Sequence, residues 1–149
     1  MNGLRAALAA SGLCMISSPG AAQDRWERQV STRLAQAAAL VGESFRPGGI
    51  AGRGALNTGE TASFLVSLTA GLPAVLAGVC DDDCVQLDLS LIANGYETDA
   101  SRGGGNAPIV RVAPAAPTTY RVTVRMAECR VNPCWFGIGL FRQTPADRQ

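Results

Sequence analysis

The sequence predicts an all-β protein: an antiparallel β-sandwich of about six to eight strands behind one N-terminal α-helix. Three observations carry this. From residue 62 onward, apolar and polar residues alternate with a period of two. Turn signals interrupt that alternation roughly every 8–12 residues, the spacing expected of a sandwich. A helical period occurs once, over residues 24–41.

In that helical segment Trp26, Val30, Leu34, Ala37, Ala38 and Val41 share one stripe, with Arg25, Arg28, Gln29 and Arg33 largely opposite. Asp24 and Glu27 have capping-box spacing, and Gly42 is placed to end the helix. Packing on the domain is the plain reading of the stripe. A sharper one makes Trp26 and Val30 partner-binding residues. Residues 46–60 are glycine-rich, with a short strand possible over 50–56. Gly49, Gly52 and Gly54 superficially suggest a phosphate loop, but the preceding strand, the glycine order and the lysine are missing.

The period-two strands follow. Phe64, Val66 and Leu68 share one face, with Ser63, Leu65, Ser67 and Thr69 on the other. After a Gly71-Leu72-Pro73 turn, residues 74–79 read as a strand ending in Cys80. Val85, Leu87, Leu89 and Leu91 alternate with Gln86, Asp88 and Ser90, a half-buried strand. Asn94-Gly95 signals a hairpin and Tyr96 begins the return. Residues 99–106 read as a flexible loop, 109–112 as a short strand, and Pro114 and Pro117 as a turn. Tyr120, Val122, Val124 and Met126 alternate with Arg121, Thr123 and Arg125. In the last strand Phe136, Ile138 and Leu140 point one way and Trp135 and Phe141 the other, with glycines between; residues 143–149 form a polar, loose tail.

The first 22 residues read as a secretory signal peptide: Arg5, an apolar run over 6–16 too short to span a bilayer, and small residues Gly20, Ala21 and Ala22 before a cut at Gln23. Leu13 stands before Cys14 where lipidation requires a small residue. The expected divisions are therefore a leader over 1–22, the helix over 23–43, a sandwich over 44–142 and a tail over 143–149. The expected location is the periplasm or outside, with no membrane span after cleavage.

Composition excludes several functions. The net charge is +1 and no basic block occurs, so nucleic acid is not an expected partner. All thirteen basic residues are arginine, a bias of GC-rich bacterial genomes. Histidine is absent, which removes Ser-His-Asp triads, Cys-His dyads and His-ligated zinc. Any hydrolase would have to run on carboxylates, arginine or tyrosine.

Beyond the leader four cysteines remain: Cys80, Cys84, Cys129 and Cys134. In an exported chain they imply disulfides. Proximity favours the local pairs Cys80–Cys84 and Cys129–Cys134, each worth about 2 kcal/mol, whereas crossed pairs would close loops of roughly fifty residues and give about 4 kcal/mol. Neither spacing is the C-x2-C of a zinc knuckle or a redox motif.

Asp81, Asp82, Asp83 and Asp88 form the densest acidic group and are candidate calcium ligands, although no D-x-D-x-D-G spacing is present. The alternative is a solvated acidic turn that opposes edge aggregation. Asp88 and Glu97 lie on neighbouring strands of the expected hairpin, where paired carboxylates could perform glycoside chemistry. Arg111, Arg121 and Arg125 are available to pair such acids instead. Trp135, Phe141 and Tyr96 are candidates for an exposed aromatic platform, unless Trp135 covers the helix and its Trp26.

Three stretches carry a family resemblance: GALNTGETASFLVSLTAG (54–71), VCDDDCVQLDLSLIANGYETDA (79–100) and APIVRVAPAAPTTYRVTVRMAECRVNPCWFGIGLF (107–141). Together they resemble the pre-peptidase C-terminal (PPC) domains of exported bacterial proteins and their stand-alone periplasmic relatives, over residues 48–141. The resemblance implies a jelly-roll-like sandwich with no catalytic centre. It implies an accessory role in secretion, folding or substrate attachment. Some collagen-binding members take up calcium, mainly through an N-terminal linker whose ligands have no match here. No protease domain is present either, so an accessory role would act in trans. The expected function is that of an exported non-catalytic module binding an envelope protein or polysaccharide, without a cofactor. The alternatives are a calcium-dependent carbohydrate- or protein-binding module, a periplasmic inhibitor or structural envelope protein, and, last, a carboxylate-based hydrolase.

Overall fold

Eight strands pair as one long antiparallel hairpin that is folded over on itself. The computed structural model describes residues 20–144, with side chains from Asp24. Helix α1 spans Gly20–Val41, followed by β1 (Phe45–Leu56), β2 (Thr61–Leu68), β3 (Ala74–Cys80), β4 (Cys84–Ala93), β5 (Tyr96–Ser101), β6 (Ile109–Val112), β7 (Thr118–Cys129) and β8 (Cys134–Gln143). Strand β1 pairs with β8, β2 with β7, β3 with β6 and β4 with β5, all antiparallel. The hairpin closes into two four-stranded sheets, β1-β8-β3-β6 (sheet A) and β2-β7-β4-β5 (sheet B). This is the jelly-roll form of the expected β-sandwich. Most of the expected leader lies outside the described residues, and α1 begins at Gly20 within its last three residues. Asp24 is therefore inside the helix rather than at its cap. Gly42 adopts φ 108° and ends the helix as expected.

The period-two rows form the core. Leu87, Leu89 and Leu91 of β4, Tyr120, Val122, Val124 and Met126 of β7, and Phe136, Ile138 and Leu140 of β8 meet between the sheets. Val85 drops out of its expected row because the β4–β7 register shifts between Cys84 and Gln86. Strand β3 is buried along its whole length, since its two faces are both covered. Its inner residues join the main core, whereas Val75, Ala77 and Val79 pack under α1 with Val30, Ala37, Val41 and Phe141.

The glycine-rich segment holds the expected strand, and the strand is longer than expected. Strand β1 reaches from Phe45 to Leu56 with two register shifts against β8. Its glycines make room for aromatic rings. A Cβ on Gly52 would lie 2.5 Å from the Phe64 ring, and one on Gly54 would lie 3.3 Å from Phe136. On β8, a Cβ on Gly137 would lie 2.7 Å from Val30 and 3.0 Å from Leu34. A Cβ on Gly139 would lie 3.2 Å from Leu34, and these two outward glycines are the groove in which α1 sits. Part of the expected 99–106 loop is also strand, because β5 runs to Ser101. Asp99 fixes it there by accepting the Arg111 amide proton at 2.7 Å. Asn94 (φ 52°) and Gly95 (φ 81°) form the expected hairpin turn.

Candidate binding face

The cysteine-flanked turn is a clasp for the helix. Cys80 is bonded to Cys84 and Cys129 to Cys134, the local pairs. The two staples adjoin, because Cys84 faces Cys129 across the β4–β7 ladder. The Arg130 amide donates to the Asp83 carbonyl at 2.8 Å, joining the two stapled loops. The three aspartates diverge. Asp81 is 1% exposed, and its carboxylate accepts the Trp135 amide at 2.7 Å and the Asp83 amide at 3.2 Å. Burial pushes its carboxyl above the ordinary value, against those two amides, which favour the ionised form. Asp82 points to α1, where Arg33 pairs with it and Gln29 both donates to its carboxylate at 2.7 Å and accepts its amide proton at 3.2 Å. Arg33 also donates to the Cys80 carbonyl. Among the described residues no group of three or more acidic or cysteine side chains converges as a metal site. The expected calcium quartet is thus divided among an interior turn, a helix contact and, for Asp88, a different part of β4.

The other expected sites are likewise separated. Val30 is 6% exposed and packs on sheet A, so it anchors the helix instead of facing a partner. Trp26 is half-buried under the Arg25 guanidinium, 4.7 Å from its ring centre. Trp135 packs against the α1 cluster and Phe141 is buried in it, so neither joins Tyr96, which stands 78% exposed beside the β4–β5 turn. No aromatic platform forms from these three. Asp88 accepts from Gln86 at 2.9 Å and from the Gly103 amide at 3.1 Å. Glu97 is paired with Arg102, which holds its carboxyl below the usual range.

What remains open is the outer face of sheet B. Helix α1 seals the corresponding face of sheet A. On sheet B the register sets side chains in rows. Leu65, Arg121 and Ile92 lie side by side across β2, β7 and β4. Ser63, Thr123 and Ser90 form the next row, then Thr61, Arg125 and Asp88. Hydroxyl pairs Ser63–Thr123 and Ser67–Thr119, each at 3.0 Å, stiffen the surface. Leu65 is 74% exposed at its β2 margin. Among the described residues the Arg121 side chain makes no hydrogen bond, and Arg125 approaches only Asp88, at 3.7 Å. A shallow cavity of about 110 Å³ opens between Thr61, Asp88, Ser90, Arg102, Thr123 and Arg125. The alternation marks this polar row but not its importance. Leu65 standing between Ser63 and Ser67 is the available signal.

No family model matches the chain. No curated protein matches it either. Among solved structures it is similar to PliG of Aeromonas hydrophila, a periplasmic inhibitor of g-type lysozyme, at 14% identity over 69% of this chain and 90% of that one, with a TM-score of 0.47. Among the described residues no helix is long and apolar enough to cross a membrane.

Proposed function

We propose that this protein is an exported, non-catalytic binding module of the bacterial envelope that engages a protein partner through the outer face of sheet B. The observation that carries the reading is the asymmetry of the two outer faces. One is closed by a helix held with Arg33 and Gln29. The other presents Leu65, Arg121 and Ile92 in register on a rigid sheet. Arg121, with free donors, is of a residue type enriched at protein interfaces, and the exposed Leu65 beside it adds an apolar contact. A sugar site would ordinarily offer aromatic faces, and this surface carries none. The PPC-like reading of the sequence belongs with this proposal, as an accessory role in trans. Inhibition of a wall-degrading enzyme is a narrower form of it.

Immobilised protein tests the reading by capture from envelope extract. Arg121→Glu and Leu65→Ser are expected to abolish capture, while Arg28→Glu on α1 leaves it intact. Equal capture by all variants would remove sheet B from the interface. A g-type lysozyme activity assay in the presence of the protein checks the inhibitor form directly.

A further inference from the structure

A sheet edge exposes a row of unpaired backbone N–H and C=O groups, and natural proteins blunt such edges. This sandwich has four, the outer strands of its two sheets. Strand β1 carries Arg46, Pro47, Arg53 and two register shifts. Strand β5 carries Glu97 and Asp99 and a bulge against β4. Strand β6 has four residues, one of them Arg111, whose amide is capped by Asp99. Strand β2, TASFLVSL, has no charge, no proline, no glycine and no register break over eight residues. It is the one unprotected edge among the described residues.

The Met126 amide donates to the Glu60 carbonyl at 3.0 Å, which sets the alternation along β2. Even-numbered residues turn their backbone groups to β7, and Thr61, Ser63, Leu65 and Ser67 turn theirs away. No other backbone hydrogen bond reaches those four among the described residues. The outer row of β2 reads Ser63, Leu65, Ser67, the same in both directions. We infer that β2 is a self-pairing edge, through which two copies join antiparallel about a twofold axis at Leu65.

That axis sets Leu65 against Leu65 of the second copy and each Ser63 against a Ser67. The two sheets B become one continuous sheet. A charge near the axis would face its own copy or a close neighbour and repel it. The uncharged, symmetric strand suits an isologous contact, in which the same patch serves both copies. A foreign strand would require neither property. The pairing goes beyond the proposed binding face and would double it.

Sedimentation equilibrium of the full protein is expected to show a monomer–dimer equilibrium. Leu65→Lys should raise the dimer dissociation constant at least about tenfold, since it sets two ammonium groups together and removes an apolar contact. Ser67→Pro deletes an outward N–H without touching the β7 ladder and should act likewise. Circular dichroism confirms that both variants fold. Cross-linking reads the register. A hydrogen-bonded antiparallel pair places its Cα atoms about 5.5 Å apart, within disulfide reach. The Leu65→Cys variant should therefore link to its own copy, found by mass spectrometry as a symmetric disulfide-joined pair of β2 peptides. Ser63→Cys should link to Ser67→Cys and not to itself. A monomer at every concentration, a dimer that survives Leu65→Lys, or Ser63→Cys linked to itself would overturn the inference. So would β2 amides that gain exchange protection only when envelope protein is added, which would assign the edge to a foreign strand.

Discussion

Asp81, Asp82 and Asp83 are identical in type and adjacent in sequence, yet the fold uses them differently: Asp81 and Asp82 through their carboxylates, Asp83 through its backbone. Nothing local distinguishes them. Their fates depend on what the fold brings alongside: the Trp135 amide for Asp81, and Arg33 and Gln29 for Asp82. That is why the sequence alone groups them as ligands. Asp81→Ala strips a buried N–H of its acceptor and should lower stability by about 1–3 kcal/mol in urea unfolding. Asp82→Ala loses an exposed ion pair and should cost under about 1 kcal/mol. The pH dependence has a definite sign. Because burial raises the Asp81 carboxyl, the folded state holds its proton more tightly than the unfolded state does. Its contribution is present below the ordinary carboxylate value of 3.8 and is lost as pH rises through the raised folded-state value. Wild type should lose melting temperature relative to Asp81→Asn as pH rises across that window.

Among elements, the alternating strands are legible because each half-buried strand writes its face into the chain. Tyr120 to Met126 and Phe136 to Leu140 sit where the period-two pattern puts them. Strand β1 is largely illegible because its pattern is one of omission. Glycine has no side chain to alternate, and its placement makes sense only once Phe64 and Phe136 are seen pressing on it. The helix stripe is readable, but its socket is not: Gly137 and Gly139 look like interruptions in the sequence and are the floor of a groove. Gly137→Ala drives a methyl against Val30, whose β-branched side chain has little freedom, and should cost about 1–3 kcal/mol in thermal unfolding. Val30→Asp should cost at least as much by burying a charge without a partner.

For the molecule as a whole, the pattern specifies two layers but leaves open how the chain threads them, since pairing β1 with β8 spans nearly the entire described chain. The staples lie where that long hairpin turns back. Thr58, in the β1–β2 turn, receives the Cys129 amide proton at 3.0 Å, so the second disulfide holds a loop that other turns depend on. Replacing Cys129 and Cys134 with serine should lower stability by about 2 kcal/mol, as a short loop predicts, with the sheets still formed by circular dichroism. Loss of the same pair should leave capture by the sheet B face unchanged at temperatures where the variant remains folded.

The ends of the sandwich meet: Phe45 stands opposite Gln143, and the Thr144 amide reaches the Ser44 carbonyl at 3.3 Å. Both leave from sheet A. A linker attached after Thr144 would therefore emerge from sheet A, behind the molecule, and a protein tethered there would present Leu65 and Arg121 forward.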